Sequence, residues 1–184
     1  MKCWVDFKVG DYETAYKWAL ETQKEAQNFF AIENNDLMAW VELTIGLCEE
    51  RKGNYKKAEV ALKSSIKKLD KGFGGAMKHN DQAFAHMLLG NIYVAKGQLV
   101  KAKDEYQFAE KVYDLLLAKK EGAGLSELYT KYAILGAILK DDLLAKHYLD
   151  LHTKHFKENQ DERKKILKAL KENNLTIMPL PSYD

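Results

Sequence analysis

Gly97-Gln98-Leu99-Val100-Lys101-Ala102 is the clearest copy of a short segment that recurs along this chain. Two earlier copies are Gly53-Asn54-Tyr55-Lys56-Lys57-Ala58 and Gly10-Asp11-Tyr12-Glu13-Thr14-Ala15, and a weaker later copy is Lys140-Asp141-Asp142-Leu143-Leu144-Ala145. Successive copies begin 43, 44 and 43 residues apart. A near-constant period over four copies indicates internal repeats, each built as one supersecondary unit.

The residues around each copy predict a helix, a tight turn and a second helix. The glycine suits the left-handed position that ends a helix, and the alanine that follows is small enough for two helices to cross closely. Gly46 and Gly90 each lie seven residues before a turn glycine, and Ala133 takes that place before Lys140. A glycine inside a helix costs about 1 kcal/mol relative to alanine, so we expect Gly46 and Gly90 where a Cβ would block a partner helix.

These residues resemble the tetratricopeptide repeat (TPR) motif. The third copy carries the resemblance best, with Leu89, Gly90, Tyr93, Gly97, Leu99, Ala102, Tyr106 and Ala109. The second copy keeps Gly46, Gly53, Tyr55 and Ala58 but has Glu49 where the motif favours tyrosine. The period exceeds the common value of about 34 residues and is similar to long-repeat TPR proteins such as kinesin light chains and bacterial peptide-sensing regulators.

The resemblance implies an all-α fold, a right-handed superhelix of antiparallel helix pairs. The repeat array would occupy residues 1–157, with turns near residues 10, 53, 97 and 140. A capping helix is expected over residues 158–174, because Ile166, Leu167 and Leu170 form a narrow apolar stripe among mixed charges. Residues 175–184 are expected to be an extended tail.

Composition and charge narrow the classes of protein. Hydrophobic residues make up 46% of the 184 residues and charged residues 30%, which suits helices with one buried and one solvated side. The only prolines, Pro179 and Pro181, lie in the last six residues, so the strongest helix breaker is absent before them. The formal net charge of +2 gives no strong field for nucleic acid or for an anionic membrane.

The cysteines and the N-terminus favour a cytoplasmic protein. Cys3 and Cys48 are too few for a disulfide framework and are interpreted as reduced thiols. No apolar run approaches the roughly 20 residues of a membrane span. The charges of Lys2 and Asp6 come too early for a signal peptide.

Residues that could carry catalysis or bind a metal do not form a convincing set. His147, His152 and His155 lie on one predicted helix, but zinc sites need three or four converging ligands. Cys48 falls inside a helix and is interpreted as a buried structural thiol. The glycine-rich residues 72–75 lack the Lys-Ser or Lys-Thr of a phosphate-binding loop. We therefore expect no enzyme activity, no metal and no cofactor.

The resemblance instead implies a binding groove, since the first helix of each TPR pair lines the concave face. The residues placed there by alignment are mostly apolar: Trp40, Leu43, Leu47, Phe84, Met87, Asn91, Val94, Thr130, Lys131, Ile134 and Ile138. A contiguous exposed apolar patch marks an interaction site. The alternative is that some of these residues pack between repeats or under the tail. A carboxylate clamp for a peptide C-terminus is not expected. Asn91 and Lys131 are present, but the other groove positions that a clamp fills with polar residues are apolar here.

The function expected from these observations is a protein–protein interaction module that holds a peptide or helix of a partner in an apolar concave groove. The alternative is a peptide-sensing regulatory domain of a larger protein. An RNA-binding helical repeat is disfavoured by the period and by the balanced charge. The groove or the tail could also mediate self-association.

Overall fold

The computed structural model describes residues 12–27, 36–77, 79–117, 123–156 and 160–173. Within these ranges the chain forms eight α-helices and no strand, so the predicted all-α class is confirmed. The helices are α1 Tyr12–Gln27, α2 Asp36–Arg51, α3 Tyr55–Gly72, α4 Asn80–Ala95, α5 Leu99–Leu116, α6 Ala123–Leu139, α7 Asp142–His155 and α8 Gln160–Glu172. The turn predicted near residue 10 and the tail predicted over residues 175–184 lie outside the described residues.

Three short turns join α2 to α3, α4 to α5 and α6 to α7, and they share one backbone geometry. Gly53, Gly97 and Lys140 have φ values of 78°, 69° and 55°, in the left-handed region. The next amide in each turn reaches back to the first helix, as in Gln98 N–H to the Tyr93 carbonyl at 2.8 Å. This is the Schellman arrangement that satisfies carbonyls at a helix end. Lys140 adopts this left-handed conformation although it has a Cβ, which glycine, the usual residue here, does not.

The helices pack as successive hairpins. The tightest packing is between the two helices of each pair, α2 with α3, α4 with α5 and α6 with α7, and α1 packs on α2. Each pair then contacts the next, through α3 on α4 and α2 on α4, and through α5 on α6 and α4 on α6. The last helix, α8, packs more closely on α6 than on α7. Within the described ranges, contacts between elements therefore run only between neighbouring pairs.

Glycines allow the two helices of a pair to approach closely. A Cβ placed on Gly46 would lie 2.6 Å from Leu62 Cγ, and one on Gly90 would lie 2.2 Å from Tyr106 Cε1. The prediction that Gly46 and Gly90 occupy positions that a Cβ would block is confirmed. In the third pair the closest approach is at Gly136, where a Cβ would lie 2.6 Å from the backbone nitrogen of Ala145.

Glu59 links the first two of these pairs through its carboxylate. On α3 it receives a hydrogen bond from Lys63 Nζ at 2.6 Å. It also receives hydrogen bonds from the Tyr93 hydroxyl of α4 and from the ammonium of Lys96, the residue after α4. The hydrogen bonds from Lys63 and Lys96 lower the pKa of Glu59 from its usual value of 4.5 to about 2. The folded state therefore favours the ionised carboxylate more strongly than the unfolded chain does.

Replacing Glu59 with glutamine is expected to weaken the dependence of protein stability on pH in the acidic range. Because the folded-state pKa is depressed, this carboxylate stabilises the fold above about pH 4.5, and that contribution is lost as the pH falls toward 2. Urea-denaturation midpoints measured across this window should fall less steeply in the variant than in the unsubstituted protein. Glu21→Gln, at an exposed position of α1, is the matched control and should follow the unsubstituted protein. Parallel pH profiles for Glu59→Gln and the unsubstituted protein would contradict the role assigned to this carboxylate.

Candidate functional site

The first helices of the three pairs, α2, α4 and α6, present one partly exposed face. On α6 the half-exposed side chains are Glu127, Lys131, Ile134 and Ile138, at steps of three and four residues that place them on one helical stripe. We use the name first-helix face for the surface formed by Trp40, Glu50, Asp81, Phe84, Asn91, Val94, Glu127, Lys131, Ile134 and Ile138.

Trp40 and Phe84 form the aromatic end of the first-helix face. Trp40 is 40% exposed on α2, and Phe84 is half-buried against the core on α4. Trp40 Nε1 donates a hydrogen bond to Asp81 Oδ2 at 2.6 Å, which ties the start of α2 to the start of α4. Val94, farther along α4, is half-buried in the same way. These side chains leave apolar surface in contact with water.

Other residues predicted to line the groove lie in the core, which corrects that part of the expectation. Leu43, Leu47 and Met87 are at most 1% exposed, and Thr130 is 3% exposed. The reason is the crowding of the first helices: α4 packs against α2, α3, α5 and α6, so only a narrow strip of its surface reaches solvent. The alternative interpretation, packing between repeats, therefore holds for these four residues.

The centre of the first-helix face is polar. Tyr106 reaches across from α5, and its hydroxyl donates to Asn91 Oδ1 at 2.8 Å. Burial raises the pKa of Tyr106, and the carboxylates of Glu127 and Glu50 raise it further. The carboxylates of Glu50 on α2 and Glu127 on α6 therefore both act on the Tyr106 hydroxyl. This hydroxyl lies beside Asn91 on α4, so residues of all three first helices surround it.

Glu50 is a largely buried carboxylate at this centre. Burial raises its pKa above the usual value and the Glu127 carboxylate adds to the shift, while Arg51 and Lys131 oppose it. Its side chain is only 15% exposed, and Arg51 Nε lies 3.6 Å from Oε2, beyond hydrogen-bond distance. Oε2 is buried and has no hydrogen-bond partner within the described residues. A buried carboxylate oxygen without a donor retains its desolvation cost.

The acidic residues of the first-helix face were missed by the sequence analysis, which looked for apolar and basic groove residues. Asp81 lies three residues before Phe84 and Glu127 lies three residues before Thr130, both predicted groove positions, and Glu50 lies three residues before the turn glycine Gly53. The repeat alignment therefore contained a signal for them. Their mutual proximity, however, depends on the packing of α2, α4 and α6.

Two depressions lie elsewhere on the surface. One, of about 480 Å³, is bordered by α1, α2 and α3 and is lined mainly by Ile45, Val60 and Ala61, with Glu42, Lys57 and Ser64 at its edges. The other, of about 460 Å³, lies at the first turn and is lined by residues 53–57 and Lys96. The Lys96 ammonium is already engaged by Glu59. Both depressions are open and shallow compared with a preformed small-molecule site.

The histidine and cysteine side chains have structural surroundings. His152 is completely buried, with Nε2 at 3.2 Å from the Ser126 hydroxyl oxygen, whereas His147 on the same helix is exposed. Cys48 is buried and its thiol lies 3.5 Å from the Tyr12 carbonyl, as expected for a structural thiol. In the part of the chain that the structure describes, no group of three or more His, Cys, Asp or Glu side chains is arranged to hold a metal ion.

None of the described helices combines the length and the apolar character that crossing a bilayer requires. No family model matches this chain, and no curated protein matches it.

Proposed function

We propose that this chain is a TPR-type protein that binds a peptide or helix of a partner protein on its first-helix face. The regular period of the turns, the glycine-mediated crossings and the contacts between successive pairs all support this assignment. A right-handed superhelix of such pairs would make the first-helix face concave. The proposed ligand would then lie across α2, α4 and α6.

The observation that carries this proposal is the set of apolar side chains left partly exposed on this face. Neighbouring side chains in the core are completely buried, whereas five apolar side chains on this face are only partly covered: Trp40, Phe84, Val94, Ile134 and Ile138. Covering apolar surface contributes about 25 cal/mol per Å² before the costs of ordering the ligand. Helix-in-groove recognition uses apolar anchors at helical spacing, and a face formed by three adjacent helices suits it.

A direct test uses the full chain and a fluorescent synthetic peptide with leucines at helical spacing and uncharged polar residues elsewhere. Fluorescence anisotropy should detect binding to the unsubstituted protein. Phe84→Asp and Ile134→Asp should each weaken binding by about tenfold or more, because each places a charge where an apolar contact forms. Melting curves should show that both variants remain folded.

Leu143→Asp is the matched control, because Leu143 is 83% exposed on α7, outside the first-helix face. It should leave the affinity unchanged. Equal binding by the unsubstituted protein, Phe84→Asp and Ile134→Asp would place any peptide site elsewhere. If this peptide does not bind the unsubstituted protein, the proposed function is removed.

A further inference from the structure

His79 is the N-terminal cap of α4, and its ring accepts a hydrogen bond from the helix backbone. Nδ1 accepts from the Asp81 N–H at 3.2 Å, while the His79 N–H donates to Gln82 Oε1 at 2.8 Å. These reciprocal bonds form a capping box, which satisfies amides at a helix start that have no partner within the helix. Only a neutral ring can accept at Nδ1, so in this arrangement the ring proton lies on Nε2.

The same ring nitrogen also faces the Asp81 carboxylate. Nδ1 lies 3.3 Å from Asp81 Oδ2, close to its distance from the Asp81 backbone nitrogen. A protonated ring carries a hydrogen on Nδ1, so it cannot accept from the Asp81 N–H but can donate to the carboxylate. A charge-assisted hydrogen bond of this kind is stronger than one between neutral groups. The two protonation states of His79 therefore select different partners on one residue.

The Asp81 carboxylate is shared with the first-helix face. Its Oδ2 accepts a hydrogen bond from Trp40 Nε1 at 2.6 Å. Trp40 is 40% exposed at the aromatic end of that face. A hydrogen bond from a charged imidazole to Oδ2 would compete with the Trp40 indole for the same oxygen. The charge state of His79 is thereby linked to Trp40 through a single carboxylate.

Phe73 supports the His79 ring in both protonation states. The two rings stack with their centroids 4.3 Å apart and their planes at 7°. The Phe73 N–H donates to the Leu69 carbonyl at 2.9 Å, which anchors Phe73 to the end of α3. The face of an aromatic ring attracts a cation, so the stack suits a charged imidazole as well as a neutral one. The His79 side chain is 37% exposed, which leaves it accessible to protons from solvent.

Two further carboxylates face this end of α4 from neighbouring helices. Asp70 of α3 accepts a hydrogen bond from Gln82 Nε2 at 2.6 Å, beside the capping box. Burial raises the pKa of Tyr113 on α5, and the carboxylates of Glu127 on α6 and Asp81 raise it further. Asp81 contacts the capping ring directly, so a charge on that ring acts first on Asp81.

We propose that His79 is a pH-operated switch at the start of α4. Histidine changes charge between about pH 5 and 8. At the basic end of this range the neutral ring caps α4 and leaves the Asp81 carboxylate to Trp40. At the acidic end the ring releases the Asp81 N–H, pairs with the Asp81 carboxylate and loosens Trp40. Acidification therefore frees the aromatic end of the first-helix face, whether or not that face binds a peptide.

Nuclear magnetic resonance of the full chain between about pH 8 and about pH 5 tests this switch. Two signals report on the exchange of partners: the Asp81 backbone amide and the Trp40 indole N–H, which is assigned with Trp40→Phe. Both protons should move to lower frequency on acidification, because the hydrogen bond of each weakens. Both should follow one titration curve. Circular dichroism at the two ends of the range checks that the fold is retained.

Three variants separate the cap, the carboxylate and the general effect of pH. His79→Asn supplies a good capping residue that does not titrate, so both signals should become independent of pH in this range. Asp81→Asn keeps the backbone amide and removes the charge, so the amide should still respond and the Trp40 indole should not. His147→Asn, at an exposed position of α7, is the matched control and should keep both responses.

The outcomes can be told apart without a ligand. The switch is overturned if neither signal moves in the unsubstituted protein, or if both still move in His79→Asn. Movement of the Asp81 amide alone would leave a pH-sensitive cap and overturn the link to Trp40. Because every measurement is made on the free protein, none of these results depends on the proposed function.

Discussion

Replacing Gly136 with valine is expected to lower the free energy of unfolding by about 3 kcal/mol. A Cβ on Gly136 would lie 2.6 Å from the nitrogen and 2.8 Å from the Cα of Ala145. These are backbone atoms of α7, so no side-chain rotation can relieve the contact and the α6–α7 hairpin must open. The melting temperature should fall by about 6–12 °C, since 1 kcal/mol corresponds to about 2–4 °C in a chain of this size.

Leu139→Val is the control for this prediction, because Leu139 is 38% exposed on the same helix. Its effect should stay within about 0.5 kcal/mol. A melting temperature for Gly136→Val close to that of Leu139→Val would show that α6 and α7 do not cross at Gly136.

Gly90→Ala is expected to destabilise the protein by about 2 kcal/mol, although alanine is the better helix former. The new Cβ would lie 2.2 Å from Tyr106 Cε1 and 2.4 Å from Cδ1. The Tyr106 ring cannot easily move, because its hydroxyl bonds to Asn91 and its ring packs edge-on against Tyr132 with centroids 5.4 Å apart. Chemical denaturation would measure the loss.

A double-mutant cycle isolates the cause of that loss. Tyr106→Leu removes the ring, so Gly90→Ala combined with Tyr106→Leu should cost less than the sum of the two single changes. Gly46→Ala supplies a graded comparison, since its Cβ would meet Leu62 Cγ and Cδ2, atoms of a flexible side chain. It should destabilise less than Gly90→Ala does. Strict additivity of Gly90→Ala and Tyr106→Leu would contradict the assigned contact.

Local chemistry explains why the helix boundaries were predictable. A glycine before an apolar helical pattern specifies a left-handed helix end wherever the chain is placed, and Gly53 and Gly97 both adopt it. Lys140 adopts the same conformation even though its own residue type does not favour it. The Asp141 carboxylate then caps α7 by accepting a hydrogen bond from Leu144 N–H at 3.0 Å.

Burial within the first helices could be predicted only in part. The alignment grouped Met87 with Phe84 on one side of α4, yet Met87 is fully buried and Phe84 is half-buried. Residues three apart on a helix point in similar directions, so their sequence positions alone do not separate them. What separates them is how closely the neighbouring helices approach on either side.

The sequence by itself determined the helical class, the turns at residues 53, 97 and 140, and the need for small residues at Gly46 and Gly90. Each depends on interactions between residues close together in the chain or within one hairpin. The tertiary structure decided that Leu43 and Met87 are core residues, that Gly136 faces the backbone of Ala145, and that Glu50 lies near Glu127. These features depend on the distances and angles between helices, which repeat spacing does not encode.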